Sequence, residues 1–181
     1  MLGDSKTSTT PTANTWPDDL VAALDVASAP LHRIVPNKGV SGATVASQAT
    51  AVTTTVKDLP GDTSSYVAVL ISLGVNDGIP AEATWKANYQ TILDAVHAKL
   101  PSALVYLTRP WRSTGGSHWD TVASWIADLV AANAFARSGD DERVWLEGGD
   151  GGATNTSDGV HISIPAGQAA AVTAKQTVLG Y

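Results

Sequence analysis

The stretch Tyr66-Val67-Ala68-Val69-Leu70-Ile71-Ser72-Leu73 is almost continuously apolar and stops at Gly74, a length and a boundary that suit a strand rather than a helix. A strand that is apolar on both faces must be covered on both, as in a parallel sheet packed between helices, so these residues are expected mid-sheet. Just downstream, residues 83–100 place Trp85, Tyr89, Ile92, Leu93 and Val96 at helical spacing, which predicts a helix with one face on that sheet. The same alternation runs outward in both directions. Short apolar runs at Arg33-Ile34-Val35, Ala103-Leu104-Val105-Tyr106-Leu107 and Arg143-Val144-Trp145-Leu146 are expected as further strands, and residues 16–28, 44–57, 119–136 and 165–178 as further helices. Five βα steps in a chain of 181 residues predict an α/β fold in a single domain, residues 1–181, with one active site.

Composition narrows the function classes. Hydrophobic residues make up 44% of the chain and charged residues 15%, the proportions of a soluble globular protein and not of a disordered polyelectrolyte. A net charge of -6 removes the electrostatic reason to approach phosphate backbones or anionic lipid, so no nucleic-acid partner is expected. No run of about 18 apolar residues is present, so no membrane insertion is expected, and Met1-Leu2-Gly3-Asp4 leaves no room for the basic and apolar parts of a signal peptide. An acidic composition rich in Ala and Thr is compatible with an extracellular protein or with part of a longer chain. The absence of cysteine excludes disulfides, thiolate metal sites and a cysteine nucleophile.

Four polar clusters interrupt this pattern: Gly3-Asp4-Ser5, Gly39-Val40-Ser41-Gly42, Gly74-Val75-Asn76-Asp77 and Asp158-Gly159-Val160-His161. Each lies at or beyond the end of an expected strand, the edge at which open α/β sheets bind their ligands. Any one of them alone is an ordinary turn sequence; the specific signal is the set. A serine hydroxyl becomes a nucleophile when a base accepts its proton and a third group orients that base. Ser5, His161 and Asp158 can fill these roles. The spacing of three residues lets Asp158 accept a hydrogen bond from Nδ1–H of His161, leaving Nε2 toward Ser5. The oxyanion formed by attack on an ester carbonyl needs preorganised donors, for which the candidates are the backbone N–H groups of Ser5 and Gly42 and the side-chain amide of Asn76. A protonated His161 cannot accept the Ser5 proton, so activity is expected to fall on the acid side. Asp4 and Asp77 are expected to brace the loops.

In this order and at these separations, the four clusters resemble the characteristic blocks of the SGNH/GDSL hydrolase family, over nearly the whole chain. Trp16-Pro17, Asn37-Lys38-Gly39-Val40-Ser41-Gly42 and the helix ending at Pro101 are also similar to that family. The resemblance implies a three-layer α/β/α sandwich with a mostly parallel, five-stranded, flavodoxin-like sheet, catalysis without metal or cofactor, and an acyl-enzyme intermediate. It carries the roles of nucleophile and oxyanion donor to Ser5, of oxyanion donors to Gly42 and Asn76, and of the other triad members to Asp158 and His161. Only Met1 and Leu2 precede Gly3 where the family has a full strand, so a first strand reduced to a stub is expected.

The loop Arg109-Pro110-Trp111-Arg112-Ser113-Thr114-Gly115-Gly116-Ser117-His118-Trp119 combines aromatic rings, guanidinium donors and glycines. It is expected to form one wall of the site, with Trp111, Arg112, His118 and Trp119 as candidate substrate-binding residues and Trp125 and Trp145 as plain core. Few residues separate the elements, which leaves little material for a long acyl tunnel or a lid. The expected activity is therefore hydrolysis of short-chain esters, acetyl above all, on a small-molecule or carbohydrate substrate. A thioesterase or lysophospholipase would use the same triad. A carbohydrate-binding module that keeps the fold without turnover belongs to another class, and fluorophosphonate labelling of an activated serine separates it from the enzymes. No oligomeric state follows from the sequence.

Overall fold

A computed structural model describes residues 1–4, 37–59, 63–114, 116–147 and 160–161. Its elements in chain order are β1 (Leu2–Gly3), β2 (Lys38–Gly39), α1 (Val45–Lys57), a 3-10 turn (Thr63–Ser65), β3 (Ala68–Ser72), α2 (Glu82–Lys99), β4 (Leu104–Arg109), α3 (His118–Ala132), β5 (Ala136–Asp141) and α4 (Glu142–Glu147). The strands form one parallel sheet in the order β2-β1-β3-β4-β5, the flavodoxin-like order in which direction reverses at β1. The stub expected at the start is β1 itself. It sits between β2 and β3, with Leu2 opposite both Lys38 and Ile71. Three bonds beyond its own register hold it: Lys38 N–H to the Met1 carbonyl at 2.9 Å, Val40 N–H to that of Gly3 at 3.0 Å, and Asp4 N–H to that of Ser72 at 3.2 Å.

The expected central strand is β3, trimmed to Ala68–Ser72. Ile71, Leu73, Val105 and Leu107 of the β3 and β4 segments are closed to solvent, as are Tyr89, Ile92, Leu93 and Val96 of α2, so the apolar face read at helical spacing does belong to the core. Helix α1 begins where the sequence places it. Thr44 accepts from Ser47 N–H at 3.1 Å, and Ser47 Oγ accepts from Thr44 N–H at 2.9 Å, a reciprocal cap that satisfies donors left open at the first turn.

Two expectations are corrected. Helix α3 ends at Ala132 and not at residue 136, because Asn133 turns its amide back to the Leu129 carbonyl at 2.8 Å and exchanges hydrogen bonds with Gln90 of α2 at 2.9 and 3.0 Å. The apolar run Arg143-Val144-Trp145-Leu146 lies in helix α4, and the fifth strand is the polar segment Ala136-Arg137-Ser138-Gly139-Asp140-Asp141. As the last strand of the sheet, β5 pairs only with β4, and its register shifts between Leu107 and Arg109. At that shift it passes so close to β4 that a Cβ on Gly139 would stand 2.8 Å from the Leu107 carbonyl carbon. The expected strand at 33–35 and the helices at 16–28 and 165–178 lie outside the described residues.

Candidate active site

All five strands point their carboxyl ends to one edge, and three of the four polar clusters have described residues there. Gly3 and Asp4 close β1, residues 40–43 follow β2, and residues 74–78 follow β3. Of the predicted site residues, Ser5 and Asp158 lie outside the described residues, while Gly42, Asn76 and His161 lie within them. His161 is half-buried.

Gly42 and Asn76 are brought together through the residue between their loops. The turn after β2 is closed by Ala43 N–H donating to the Val40 carbonyl at 3.0 Å, and it takes Gly42 through φ +75°, a left-handed conformation that L side chains rarely adopt. Asn76 Nδ2 then donates to the Ala43 carbonyl at 3.0 Å, tying the β3 loop to the β2 loop. A carboxamide nitrogen carries two N–H groups, and this bond uses one of them to anchor the side chain to the residue after Gly42. Gly42 and Asn76 are both exposed.

Asp77 locks the same pair of loops from below. Its two carboxylate oxygens accept from Val45 N–H at 3.0 and 3.1 Å, at the positive end of α1. Burial pushes its carboxyl up to about 6, against the opposing pull of the Val45 hydrogen bond. The loop can turn here because Gly74 adopts φ +126°, where a Cβ would also press on Pro110 Cγ at 3.1 Å and Trp85 Cζ2 at 3.3 Å. Asp77 is thus the loop brace expected from sequence.

Beneath the loops lies a layer that the sequence reading missed. Glu142, 1% exposed, accepts from Ser72 Oγ at 2.5 Å, from Thr108 Oγ1 at 3.5 Å and from Trp111 N–H at 3.1 Å, joining the ends of β3, β4 and the following loop. The single Thr108 O–H lies closer to the Ile71 carbonyl, at 3.1 Å, so its approach to Glu142 is the weaker share of a divided hydrogen bond. Polar residues ending two otherwise apolar strands, Ser72 and Thr108, were the available signal. Tyr89 is buried nearby, its hydroxyl without a hydrogen-bond partner among the described residues. Burial first, then the carboxylates of Glu142, Asp4 and Asp77, hold its phenol far above the usual tyrosine range.

In the loop after β4, Trp111 and Trp119 are 6% and 3% exposed, so neither turns an open ring face to solvent. Trp119 Nε1 donates to the Thr114 carbonyl at 2.7 Å, the Arg112 guanidinium lies 5.8 Å from the Trp119 ring centre, and His118 meets that ring edge-on at 4.9 Å. Arg112 and His118 are half-buried. Among the described residues, no three His, Asp or Glu side chains are grouped to hold a metal ion, and no helix is long and apolar enough to cross a membrane.

A parallel sheet of this order, with its polar loops gathered at the carboxyl edge, defines an α/β protein of the kind that builds enzyme sites from loops. The chain belongs to the GDSL-like Lipase/Acylhydrolase family, whose sequence model matches residues 1–163, and it is an ester hydrolase. Its fold is that of solved SGNH esterases. An acetyl esterase variant with acetate ion superposes with a TM-score of 0.71 at 21% identity, over 99% of this chain and 95% of the other. A psychrotrophic esterase from Pseudoalteromonas sp., inhibited by monoethylphosphonate, gives 0.74 at 16% identity, over 99% and 97%. A carbohydrate esterase family 3 protein from Talaromyces cellulolyticus gives 0.71 at 21% identity, over 99% and 95%. No curated protein matches the sequence.

Proposed function

We propose that residues 1–181 form one catalytic domain that cleaves short-chain esters, acetyl above all, from a carbohydrate or another small molecule through a Ser5-His161-Asp158 triad. In this reading Ser5 Oγ attacks the ester carbonyl as His161 takes its proton, and Asp158 holds the imidazole in the tautomer that leaves Nε2 free to accept it. The carbonyl oxygen becomes an anion held by the N–H groups of Ser5 and Gly42 and the free N–H of Asn76. His161 returns its proton to the leaving alcohol, an acyl-enzyme remains, and water activated by His161 releases the acid.

The observation that supports this reading most is the Asn76–Ala43 hydrogen bond of 3.0 Å. It spends one amide N–H on the neighbouring loop and so orients the other without a rearrangement at the moment of reaction, which is what an oxyanion donor requires. The short-chain assignment rests on the brevity of the connections. The acetyl esterase and the carbohydrate esterase described above hold their activities on the same fold.

The test is hydrolysis of p-nitrophenyl acetate, butyrate and octanoate by the wild type and by Ser5→Ala, with a chelator present throughout. Fastest turnover of acetate, abolished in Ser5→Ala, is the expected result. Octanoate ahead of acetate moves the assignment to the lysophospholipase reading, and an acyl-thioester panel then examines the thioesterase one. An inactive wild type that also resists a fluorophosphonate leaves the binding module as the better account.

A further inference from the structure

Beside the catalytic loops, at the same carboxyl edge, the ends of β4 and β5 and the first turns of α3 and α4 enclose a cleft of about 290 Å³, at the small end of the range for ligand sites. Arg109, Trp111, Trp119, Asp120, Asp141 and Arg143 line it. In sheet order β4 is two strands from β1 and β5 is three, so the cleft stands roughly 10 to 14 Å along the edge from the end of β1.

The four charged side chains form two pairs that are only partly committed to each other. Arg109 Nη1 lies 3.8 Å from Asp141 Oδ2, with side chains 44% and 37% exposed, and Arg143 Nη2 lies 3.1 Å from Asp120 Oδ1, with side chains 39% and 66% exposed. A guanidinium has five N–H donors and a carboxylate about four acceptor positions, so these few contacts, two at Asp141 and one at each of the others, leave both kinds of group available. Pairs this exposed add little to folding stability, so stability does not explain why four charges surround one cleft. The framework that carries them is rigid. Asp141 Oδ1 accepts from Arg143 N–H at 2.9 Å, Glu142 ties α4 to Trp111 N–H at 3.1 Å, and Trp119 Nε1 is held by the Thr114 carbonyl at 2.7 Å.

Two cations and two anions sum to zero, so an anionic ligand would gain from each arginine and lose to each aspartate. A neutral polyol does not face that conflict. Each of its hydroxyls both donates and accepts, and vicinal pairs match interleaved guanidinium and carboxylate groups above apolar ring edges. Building on the esterase reading, we propose that this cleft is a subsite for a neutral sugar residue of the substrate, next to the one that carries the ester. Arg143 and Asp120 set the affinity for that residue and do not touch the reacting carbonyl.

The test compares the wild type with Arg143→Met and Asp120→Asn on mono-O-acetyl xylobiose and on p-nitrophenyl acetate, and measures binding of unacetylated xylobiose by calorimetry. In either variant the ratio of kcat/KM for the disaccharide ester to that for p-nitrophenyl acetate is expected to fall about tenfold, through KM, as expected for one or two lost hydrogen bonds. Xylobiose itself should bind the wild type on the order of millimolar and each variant more weakly. An unchanged ratio together with no xylobiose binding overturns the subsite and leaves the esterase reading standing. Xylobiose binding that the variants weaken, in a protein that turns over no ester, keeps the subsite and removes the esterase reading. Tighter binding of an acidic disaccharide than of xylobiose overturns the assignment to a neutral sugar.

Discussion

Both carboxylate oxygens of Asp77 reach the backbone nitrogen of Val45, at 3.0 and 3.1 Å, so the residue after the candidate oxyanion donor Asn76 holds the start of the helix that follows Gly42. The two loops that carry Gly42 and Asn76 are thereby one mechanical unit. Asp77 maintains it as a partly desolvated acid.

That burial has a pH consequence. With its folded pKa raised to about 6 from an ordinary value near 4, Asp77 binds more protons folded than unfolded in between. Its contribution to stability is fully present below about pH 4 and is lost as pH rises through about 6. Asp77→Asn keeps an acceptor for Val45 N–H and does not titrate. Thermal unfolding of both proteins between pH 4 and 7 should show the wild type losing ground to Asp77→Asn as pH rises, and a constant Tm gap would contradict the assignment.

Asn76→Ala removes both the Ala43 tie and the remaining donor. We expect kcat on p-nitrophenyl acetate to fall on the order of 10²–10³ with KM little changed, the signature of a group that acts on the developing oxyanion. A loss confined to KM would place Asn76 in ground-state binding instead.

Glu142→Ala leaves the donors of Ser72 and Trp111 facing a cavity, while Thr108 keeps the Ile71 carbonyl, and a cost of about 3 kcal/mol in urea unfolding is expected. Glu142→Gln keeps an oxygen acceptor and should cost less. Equal stability of Glu142→Ala and the wild type would mean that these donors find other partners.

At Gly139 the added Cβ of Gly139→Ala would meet backbone at 2.8 and 2.9 Å, and backbone cannot step aside as a side chain can. Either β5 separates from β4 or the sheet edge shifts, and hydrogen exchange across Ala136–Asp141 should accelerate by more than tenfold. Unaltered protection there would show that the edge strand tolerates the contact.

What was legible in the sequence followed from local rules. The central strand was readable because full burial demands continuous apolarity, and helix α2 because one buried face repeats at 3.6 residues; the reciprocal cap of Thr44 and Ser47 that starts α1 emerged only in the structure. Strand β5 was not readable, since an edge strand with one partner need not be apolar, and the four-residue run at 143–146 suits a strand or a single helical turn and a half equally well. Among the site residues, the sequence by itself named Gly42, Asn76 and Asp77 and the chemistry they suit. Only the tertiary structure decided that Asn76 donates to Ala43, 33 residues away, and that Glu142 gathers Ser72, 70 residues away, Thr108 and Trp111 under the same edge. Propensity and periodicity act over a few neighbouring residues, whereas a buried hydrogen bond between distant segments exists only once the sheet has fixed which strand ends lie side by side.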